Sequence, residues 1–240
     1  MGAISTQLEE VRKRIDKACK DAGRQSGCVT LLAVSKTFGP EAVVEAVQAG
    51  QRDFGENYVQ EALGKINALR LWGAGQAQPP QLRWHCIGPL QSNKARQVAE
   101  NFDWVHSIDR LKIAQRLSDC RPSDLPPLQV CLQVNIDAGP TKSGVQPQQA
   151  LALAQAVQQL PRLVLRGLMT IPEPAADFSS ALRVHQLARA LLDQLNASGL
   201  LIRPLDTLSM GMSADLEAAV AAGSTLVRAG TAVFGRRAPA

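Results

Sequence analysis

The feature that most constrains the fold of this chain is a repeated alternation of short apolar runs with longer amphipathic stretches. Eight apolar runs occupy positions 29–34, 52–54, 83–87, 103–107, 128–135, 163–170, 205–209 and 225–228. Stretches with helical spacing lie between them at 40–49, 57–69, 91–100, 109–118, 147–160, 178–198 and 213–222. Strands that alternate with helices predict a parallel sheet. Eight such units in 240 residues favour a closed (β/α)8 barrel over an open doubly wound sheet.

An additional helix is predicted before the first apolar run. Thr6 followed by Glu9 has the spacing of a capping box at a helix start. The apolar stripe of this helix is formed by Leu8, Val11, Ile15 and Cys19. Since neither a linker nor a shift in composition interrupts the chain, we expect residues 1–240 to form one α/β domain, a TIM-type barrel with an extra N-terminal helix.

Composition argues against several classes of protein. No apolar run is long enough to span a membrane, and the charged N-terminal helix lacks the apolar block of a signal peptide. The five cysteines are odd in number and include no CxxC pair, which argues against a zinc site or a disulfide framework. We therefore expect a cytoplasmic protein with reduced thiols and no metal site.

A mild excess of basic residues gives the chain a formal charge of +5, from 26 Lys and Arg against 21 Asp and Glu. This balance suits a phosphorylated small ligand at least as well as a nucleic acid. The basic residues of 91–97 and Lys112, Arg116 and Arg121 are scattered over several helices, and only nine aromatic residues (three Trp, one Tyr, five Phe) are available for base stacking. Nucleic-acid binding is therefore the weaker interpretation.

The end of the first strand carries a lysine. In (β/α)8 barrels chemistry lies where the strands end, and here the strand ends on Ser35 and Lys36. Partial desolvation at a barrel mouth favours a neutral amine, which is able to form a Schiff base with a carbonyl. Taken alone, the local sequence favours the simpler interpretation that Lys36 reaches solvent or binds phosphate as a point charge.

The seventh predicted strand ends in a turn rich in hydroxyl groups. Ser209 and Ser213 flank Gly211, which would let the backbone approach a ligand closely. Ser213 is also a candidate cap for the next helix. Because phosphate is often held after strands seven and eight of such barrels, the turn is a candidate phosphate site.

The eighth predicted strand ends in a second turn of this kind. Arg228 is followed by Gly230 and Thr231, whose amides would be free for an anion at the start of a short helix. Two donor-rich turns on adjacent strands predict a phosphate site, and a nucleophilic amine across the mouth suits a phosphorylated aldehyde. Pyridoxal 5′-phosphate (PLP) is the first candidate, and aldolase-type chemistry on a sugar phosphate is the other.

Four segments, taken together, resemble one known family. They are "LLAVSKTFGPEAVVEAVQAGQRDFGENYVQEALGKI", "WHCIGPLQSNK", "LMTIPEP" and "LSMGMSADLEAAVAAGSTLVRAGTAVFG". They resemble the YggS/PROSC-type pyridoxal phosphate homeostasis proteins, in the order in which that family has them. The resemblance implies a barrel related to the N-terminal domain of bacterial alanine racemase, with PLP held as a Schiff base on Lys36.

The resemblance also implies roles for further residues of the mouth. Arg228 would face the pyridine nitrogen of the cofactor, and Asn57 would lie beside its ring. His85 and Met169 would line the pocket, although spacing does not decide whether His85 or its neighbour Trp84 points inward. The residues implied to hold the phosphate are Ser209, Ser213, Gly230 and Thr231.

Binding PLP does not make a protein an enzyme. A guanidinium cannot give up its proton, so a ring nitrogen facing Arg228 stays unprotonated and the cofactor is a weak electron sink. The racemases that the family resembles take a second base, a tyrosine, from another domain of a partner subunit, whereas this chain has one tyrosine, Tyr58, near the second strand. We therefore expect a monomeric PLP carrier with no catalytic residues, in transient contact with apo PLP-dependent enzymes. The alternative is a weak or specialised amino-acid racemase.

Overall fold

Eight parallel strands close into a barrel in which each strand pairs with its neighbours in the sequence and the last pairs with the first. The computed structural model describes residues 2–137, 139 and 143–235. The strands are β1 (Thr30–Val34), β2 (Asp53–Glu56), β3 (Arg83–Cys86), β4 (Trp104–Ile108), β5 (Leu128–Gln133), β6 (Leu163–Met169), β7 (Thr207–Met212) and β8 (Leu226–Ala229). The predicted (β/α)8 barrel is confirmed.

Helices surround the barrel, and one of them precedes the first strand as predicted. They are α1 (Ala3–Asp21), α2 (Pro40–Gln48), α3 (Val59–Ala74), α4 (Ala95–Asn101), α5 (Leu111–Cys120), α6 (Ala150–Gln158), α7 (Phe178–Ala197), α8 (Leu216–Ala221) and α9 (Thr231–Phe234). Short 3₁₀ turns at Ser92–Lys94 and Pro147–Gln149 lead into α4 and α6. Within the described residues, no helix is both long and apolar enough to cross a membrane.

Each barrel strand is buried on both faces. In β1, Leu31 and Ala33 pack into the hydrophobic layer beneath the helices, whereas the buried Leu32 lies outside that layer. A parallel strand covered on one side by helices and on the other by the barrel interior reads as a continuous apolar run, which is the pattern at 29–34. The same alternation decides which polar residues face the interior.

Three local predictions were wrong. Helix α1 begins at Ala3 with Gly2 as its N-cap, so Thr6 lies inside the helix and makes no capping box. Strand β7 runs over Thr207–Met212 rather than 205–209, so Ser209 is its third residue and not its end. Ser213 does not cap α8, because the N-cap of that helix is Asp215.

Pairing of β1 with β8 brings the first and last units of the barrel together. Ala33 of β1 pairs with Ala229 of β8, and beyond the strands the rings of Phe38 and Phe234 stack with their centroids 5.2 Å apart. This contact places the turn that follows Lys36 against α9. Barrel closure therefore brings the first and last predicted site residues to one mouth.

The N-terminal helix supports the turn after β7. Arg14 of α1 donates through Nε to Glu217 Oε1 at 2.7 Å and through Nη2 to the carbonyl oxygen of Ser213 at 3.0 Å. The side chain of Glu217 and the backbone of Ser213 are thereby tied to the same guanidinium. The added helix thus helps to position a predicted site residue.

One of the basic residues considered for nucleic-acid binding has a structural role instead. Arg121 is only 4% exposed, and its guanidinium donates to the carbonyl oxygens of Ala99, Phe102 and Pro126 at 2.6–2.8 Å. Burial lowers the pKa of Arg121, partly offset by Asp103. Its charge is therefore turned into the protein rather than toward a ligand.

We predict that Arg121→Met lowers the free energy of unfolding by about 2–3 kcal/mol, because buried carbonyl groups lose their donors. The matched control is Arg116→Met on the exposed face of the same helix. It removes the same charge and should change stability by less than about 0.5 kcal/mol. Urea unfolding followed by circular dichroism measures both, and equal losses would contradict the structural role of Arg121.

Candidate functional site

Lys36 lies two residues beyond the end of β1, at the mouth of the barrel. The hydroxyl of Ser35 donates to Glu56 Oε1 at 2.6 Å, and Lys65 of α3 donates to the same oxygen at 2.6 Å. Since α3 lies outside the barrel, Ser35 also faces outward. The ladder continues through Ser35, whose amide donates to the carbonyl of Gly55 at 3.1 Å. Lys36 then begins a turn in which the amide of Phe38 donates to the carbonyl of Ser35 at 3.1 Å.

The backbone on both sides of Lys36 is held by this outer cluster of charges. Lys65 Nζ donates to the carbonyl of Ser35, to Glu56 and to Glu61, each at 2.6 Å. Glu61 also accepts the amide of Thr37 at 2.5 Å, and Thr37 has a left-handed φ of 70°. A non-glycine residue keeps such a conformation only where its surroundings impose it. The cluster therefore fixes the position from which Lys36 projects.

The carboxylate of Glu56 is deeply buried within this cluster. Its burial raises its pKa, while the hydrogen bonds from Lys65 and Ser35 act in the opposite direction. Glu56 Oε2 has no hydrogen-bond partner among the described residues. The ion pair with Lys65 is thus the main compensation for a charge removed from water.

Arg228 of β8 is a buried cation at the same end of the barrel. Its Nη1 donates to the carbonyl oxygen and the hydroxyl of Ser209 at 2.6 and 2.8 Å, and its Nη2 donates to the carbonyl of Thr170 at 2.8 Å. Desolvation lowers the pKa of Arg228 to about 10, so the guanidinium remains charged at neutral pH. These bonds use at most three of its five N–H groups.

Near its end, β7 contains a glycine that no other residue would replace easily. Gly211 has φ of +90°, and a Cβ there would lie 2.4 Å from the side chain of Ala219 in α8. It stands where the register between β7 and β8 shifts, because Ser209 pairs with Leu226 but Met212 pairs with Arg228. In this structure it forms a bulge packed against a helix, and the close ligand approach that the sequence suggested stays a prediction.

Ser213 and the turn after β8 lie together as predicted. The amide of Ala232 donates to Ser213 Oγ at 3.4 Å, which places this hydroxyl at the start of α9, beside Gly230 and Thr231. Gly230 also lies close to β1, since a Cβ built on it would lie 3.4 Å from the carbonyl oxygen of Val34. The two donor-rich turns therefore meet beside the end of the strand that leads to Lys36.

Ser209 occupies a deeper position than the sequence indicated. It is fully buried, and its hydroxyl contacts Arg228 and, at 2.8 Å, Nδ1 of His106. The structure therefore groups Ser209 with the guanidinium in the body of the barrel.

The remaining predicted residues line two different parts of the barrel. His85 points inward and Trp84 outward, where Trp84 packs on Phe54 with ring centroids 5.5 Å apart. Met169 is fully buried, and because its neighbour Leu168 packs beneath the helices, Met169 faces the interior. Asn57 follows β2 at the mouth, where its backbone leaves no space for a side chain at Gly88.

Sequence reasoning missed three residues of this region. His106 and Thr170 are fully or almost fully buried, and Lys65 provides the cation of the outer cluster although it lies in the middle of a helix. An ordinary apolar run surrounds His106, and a helical position gives no sign that Lys65 points at a strand end. Only the alternation of "VHSI" in β4 could have suggested that His106 faces the interior.

The donors in the mouth fit a ligand with acceptor groups. Thr170 Oγ1 is buried without a partner among the described residues, directly beside the carbonyl that accepts from Arg228. Among the residues that the structure describes, Arg228 contacts neutral acceptors only, and it keeps N–H groups to spare. A buried cation and an orphaned hydroxyl next to a lysine-bearing strand end match a small anionic molecule with a ring acceptor, as PLP is.

Comparison with known proteins agrees with this fold. The family model described as "Alanine racemase, N-terminal domain" matches residues 7–238. Among solved structures, PipY of Synechococcus elongatus with PLP bound has a TM-score of 0.81 and 36% identity, covering 97% of this chain and 100% of that one. An alanine racemase from Corynebacterium glutamicum shares the fold, with a TM-score of 0.64 and 18% identity over 99% of this chain and 61% of that one.

Curated relatives define the family further. A protein of Pseudomonas aeruginosa named pyridoxal phosphate homeostasis protein is 55% identical over 237 residues, which is 99% of this chain and 97% of the relative. The protein of the same name from Escherichia coli is 52% identical over 239 residues, or 99% of this chain and 98% of the relative. The chain therefore belongs to the alanine racemase N-terminal domain family, among the pyridoxal phosphate homeostasis proteins, and the resemblance stated from its sequence is confirmed.

We predict that Lys65→Met lowers the free energy of unfolding by about 3–5 kcal/mol at pH 8, because it leaves Glu56 buried and uncompensated. Since the pKa of Glu56 is raised in the folded state, the folded chain binds more protons than the unfolded one just above the usual glutamate range. Part of the loss should therefore return as the pH falls toward that range. Urea unfolding at pH 5 and pH 8 measures this.

The double variant Lys65→Met/Glu56→Gln is the matched control for that prediction. It retains an acceptor for Ser35 but removes the buried charge, so it should be more stable at pH 8 than the single variant. A single and a double variant with the same stability at both pH values would show that Glu56 is not charged in this cluster.

Proposed function

We propose that this chain binds PLP, holds it as a Schiff base on Lys36, and takes part in vitamin B6 homeostasis by storing or supplying the cofactor. The observation that carries the proposal is the position of Lys36, which follows the strand paired with β8, at a mouth where the buried, charged Arg228 contacts only carbonyl and hydroxyl oxygens among the described residues. The names of the relatives and the PLP-bound structure of PipY support the choice of ligand.

In the proposed complex, each residue of the mouth has a separate role. Lys36 provides the amine that reacts with the aldehyde of PLP, and Arg228 donates to its ring nitrogen. Asn57 lies beside the ring. The phosphate is held by the turns that carry Ser213, Gly230 and Thr231. Ser209 lies deeper and contacts Arg228, which it helps to hold in place.

The proposed role is storage and supply rather than turnover. PLP supplies an aldehyde and, when its ring nitrogen is protonated, a strong electron sink. A guanidinium cannot transfer a proton to that nitrogen, so Arg228 leaves the ring a weak sink. We therefore propose that the chain has no catalytic residues, acts as a monomer and a single domain in the cytoplasm, and meets apo PLP-dependent enzymes only transiently.

We predict that the purified chain is yellow and that borohydride reduction fixes PLP on Lys36. Lys36→Ala should lose the covalent adduct while retaining weaker, phosphate-anchored binding. The matched control is Lys112→Ala, which removes an exposed lysine of α5 and should keep the adduct. Peptide mapping by mass spectrometry reads the position of the label, and a label on any other lysine would overturn the assignment.

We predict that the PLP-loaded chain transfers cofactor to an apo PLP-dependent enzyme and restores the activity of that enzyme. Incubated with a panel of L-amino acids, the loaded chain itself should show neither racemisation nor transamination at about 1 s⁻¹ or faster, the range of ordinary enzymes. Turnover in that range without transfer would instead establish the alternative, a specialised amino-acid racemase.

A further inference from the structure

A continuous chain of polar side chains crosses the interior of the barrel below the mouth. Ser209 Oγ lies 2.8 Å from both Arg228 Nη1 and His106 Nδ1. His106 Nε2 lies 3.0 Å from His85 Nδ1, and His85 Nε2 lies 3.1 Å from Asp53 Oδ1. All five side chains are buried. They stand on β8, β7, β4, β3 and β2, and the contact between Ser209 and His106 crosses the interior of the barrel from β7 to β4.

The two ends of this chain fix the direction of every hydrogen bond in it. Arg228 is a donor only, so Ser209 Oγ accepts from it and has its own hydrogen to donate. At the other end Asp53 is an acceptor, because Arg83 donates to its two oxygens at 2.6 Å each. Although burial alone would raise the pKa of Asp53, the hydrogen bonds from His85 and Arg83 lower it.

Only one arrangement of protons satisfies both ends. His85 donates from Nε2 to Asp53, so its Nδ1 is bare and accepts from Nε2 of His106. Nδ1 of His106 is then bare and accepts the hydroxyl hydrogen of Ser209. Burial lowers the pKa of both imidazoles, that of His106 well below 6.5, so both rings are neutral. The opposite direction would set the bare Nε2 of His85 against the ionised carboxylate of Asp53.

The hydroxyl hydrogen of Ser209 is therefore committed to His106. In this arrangement Ser209 has no hydrogen to donate to a phosphate, and its remaining contacts are made with Arg228. Each imidazole is held through both of its nitrogens, so neither ring can turn without breaking two bonds.

The far end of the chain lies at the opposite mouth of the barrel. A cavity of about 380 Å³ opens there, lined among others by Asp53, Arg83, His85 and Arg166. Asp53 and Arg83 are the first residues of β2 and β3, whereas Lys36 and the phosphate-type turns follow strand ends. Arg166 forms a second ion pair at this mouth, with Asp206 at 2.7 Å. This ion pair is separate from the hydrogen-bond chain.

We propose that His106 and His85 are positioning residues, which hold Ser209 and Arg228 in one orientation through a one-directional hydrogen-bond chain anchored on the Asp53–Arg83 ion pair. The hydrogen-bond chain is present in the protein without ligand. Its effect on binding of the cofactor rests on the proposed function. No covalent or proton-transfer step is involved.

The imidazole nitrogens of the protein without PLP test the chain directly. Only three histidines are present, so the ¹⁵N spectrum of histidine-labelled protein contains six ring nitrogens. We expect His85 and His106 to be neutral with Nε2 protonated and Nδ1 bare. Ser209→Ala should shift both nitrogens of His106 and those of His85, while His185 serves as an internal reference in α7.

Two matched controls distinguish disruption of the hydrogen-bond chain from a general loss of packing. Ser118→Ala removes another buried hydroxyl, which donates to the carbonyl of Pro161, and should leave His85 and His106 unchanged. Arg83→Met should shift the ring nitrogens of His85 first, whereas Arg116→Met removes an exposed arginine of α5 and should not. A protonated Nδ1 on His106, or equal shifts in variants and controls, would overturn the proposed hydrogen-bond chain.

Binding of PLP tests the effect on the cofactor site. We expect Ser209→Ala to raise the Kd for PLP about tenfold and to move the absorption maximum of bound PLP, because Arg228 loses a fixed partner. Ser118→Ala should change neither quantity. An unchanged Kd and spectrum in Ser209→Ala would overturn the positioning role. Failure of the unmodified protein to bind PLP would instead reject the proposed function. The imidazole spectrum would still test the hydrogen-bond chain.

Discussion

Closure of the barrel between β1 and β8 is the constraint on which the rest of this site depends. The pairing runs from Thr30 with Leu226 to Ala33 with Ala229 and joins strands that lie almost two hundred residues apart in sequence. Without it, Lys36 and the turn after β8 would be distant loops. With it, the strand end that carries the amine lies beside the turns that carry Ser213 and Gly230. The stacked rings of Phe38 and Phe234 extend the same contact beyond the last ladder bond.

Strand alternation then gives the two sides of β1 different electrostatic tasks. Outside the barrel, Ser35 joins the ion pair of Lys65 with Glu56, in which opposite charges compensate each other. Inside, the contacts of Arg228 with the described residues are made to carbonyl and hydroxyl oxygens, so no carboxylate among them compensates its charge. Burying a charge is unfavourable unless something compensates it. The outer cluster therefore serves to hold the backbone, and the inner cation is the group that the proposed ligand would compensate.

The sequence was sufficient for the order of elements, because helical and strand periodicities are strong over eight repeats. It was insufficient for the interior. An error of three residues at the end of β7 placed Ser209 at the mouth, whereas the structure places it inside the barrel. Spacing alone could not decide between Trp84 and His85, because that decision depends on register with β2 and β4. His106 becomes significant only beside its partners, which come from other strands.

The fixed direction of the hydrogen bonds between Arg228 and Asp53 helps to explain why such a site holds a cofactor. Movement of a proton along the hydrogen-bond chain would require every bond between Arg228 and Asp53 to reverse, against a guanidinium at one end and an ionised carboxylate at the other. Neither histidine is therefore available as an acid or a base toward the mouth. A racemase needs groups that gain and lose protons on both faces of its substrate. The five side chains of the hydrogen-bond chain are each fixed in one protonation state, so none of them supplies such a group.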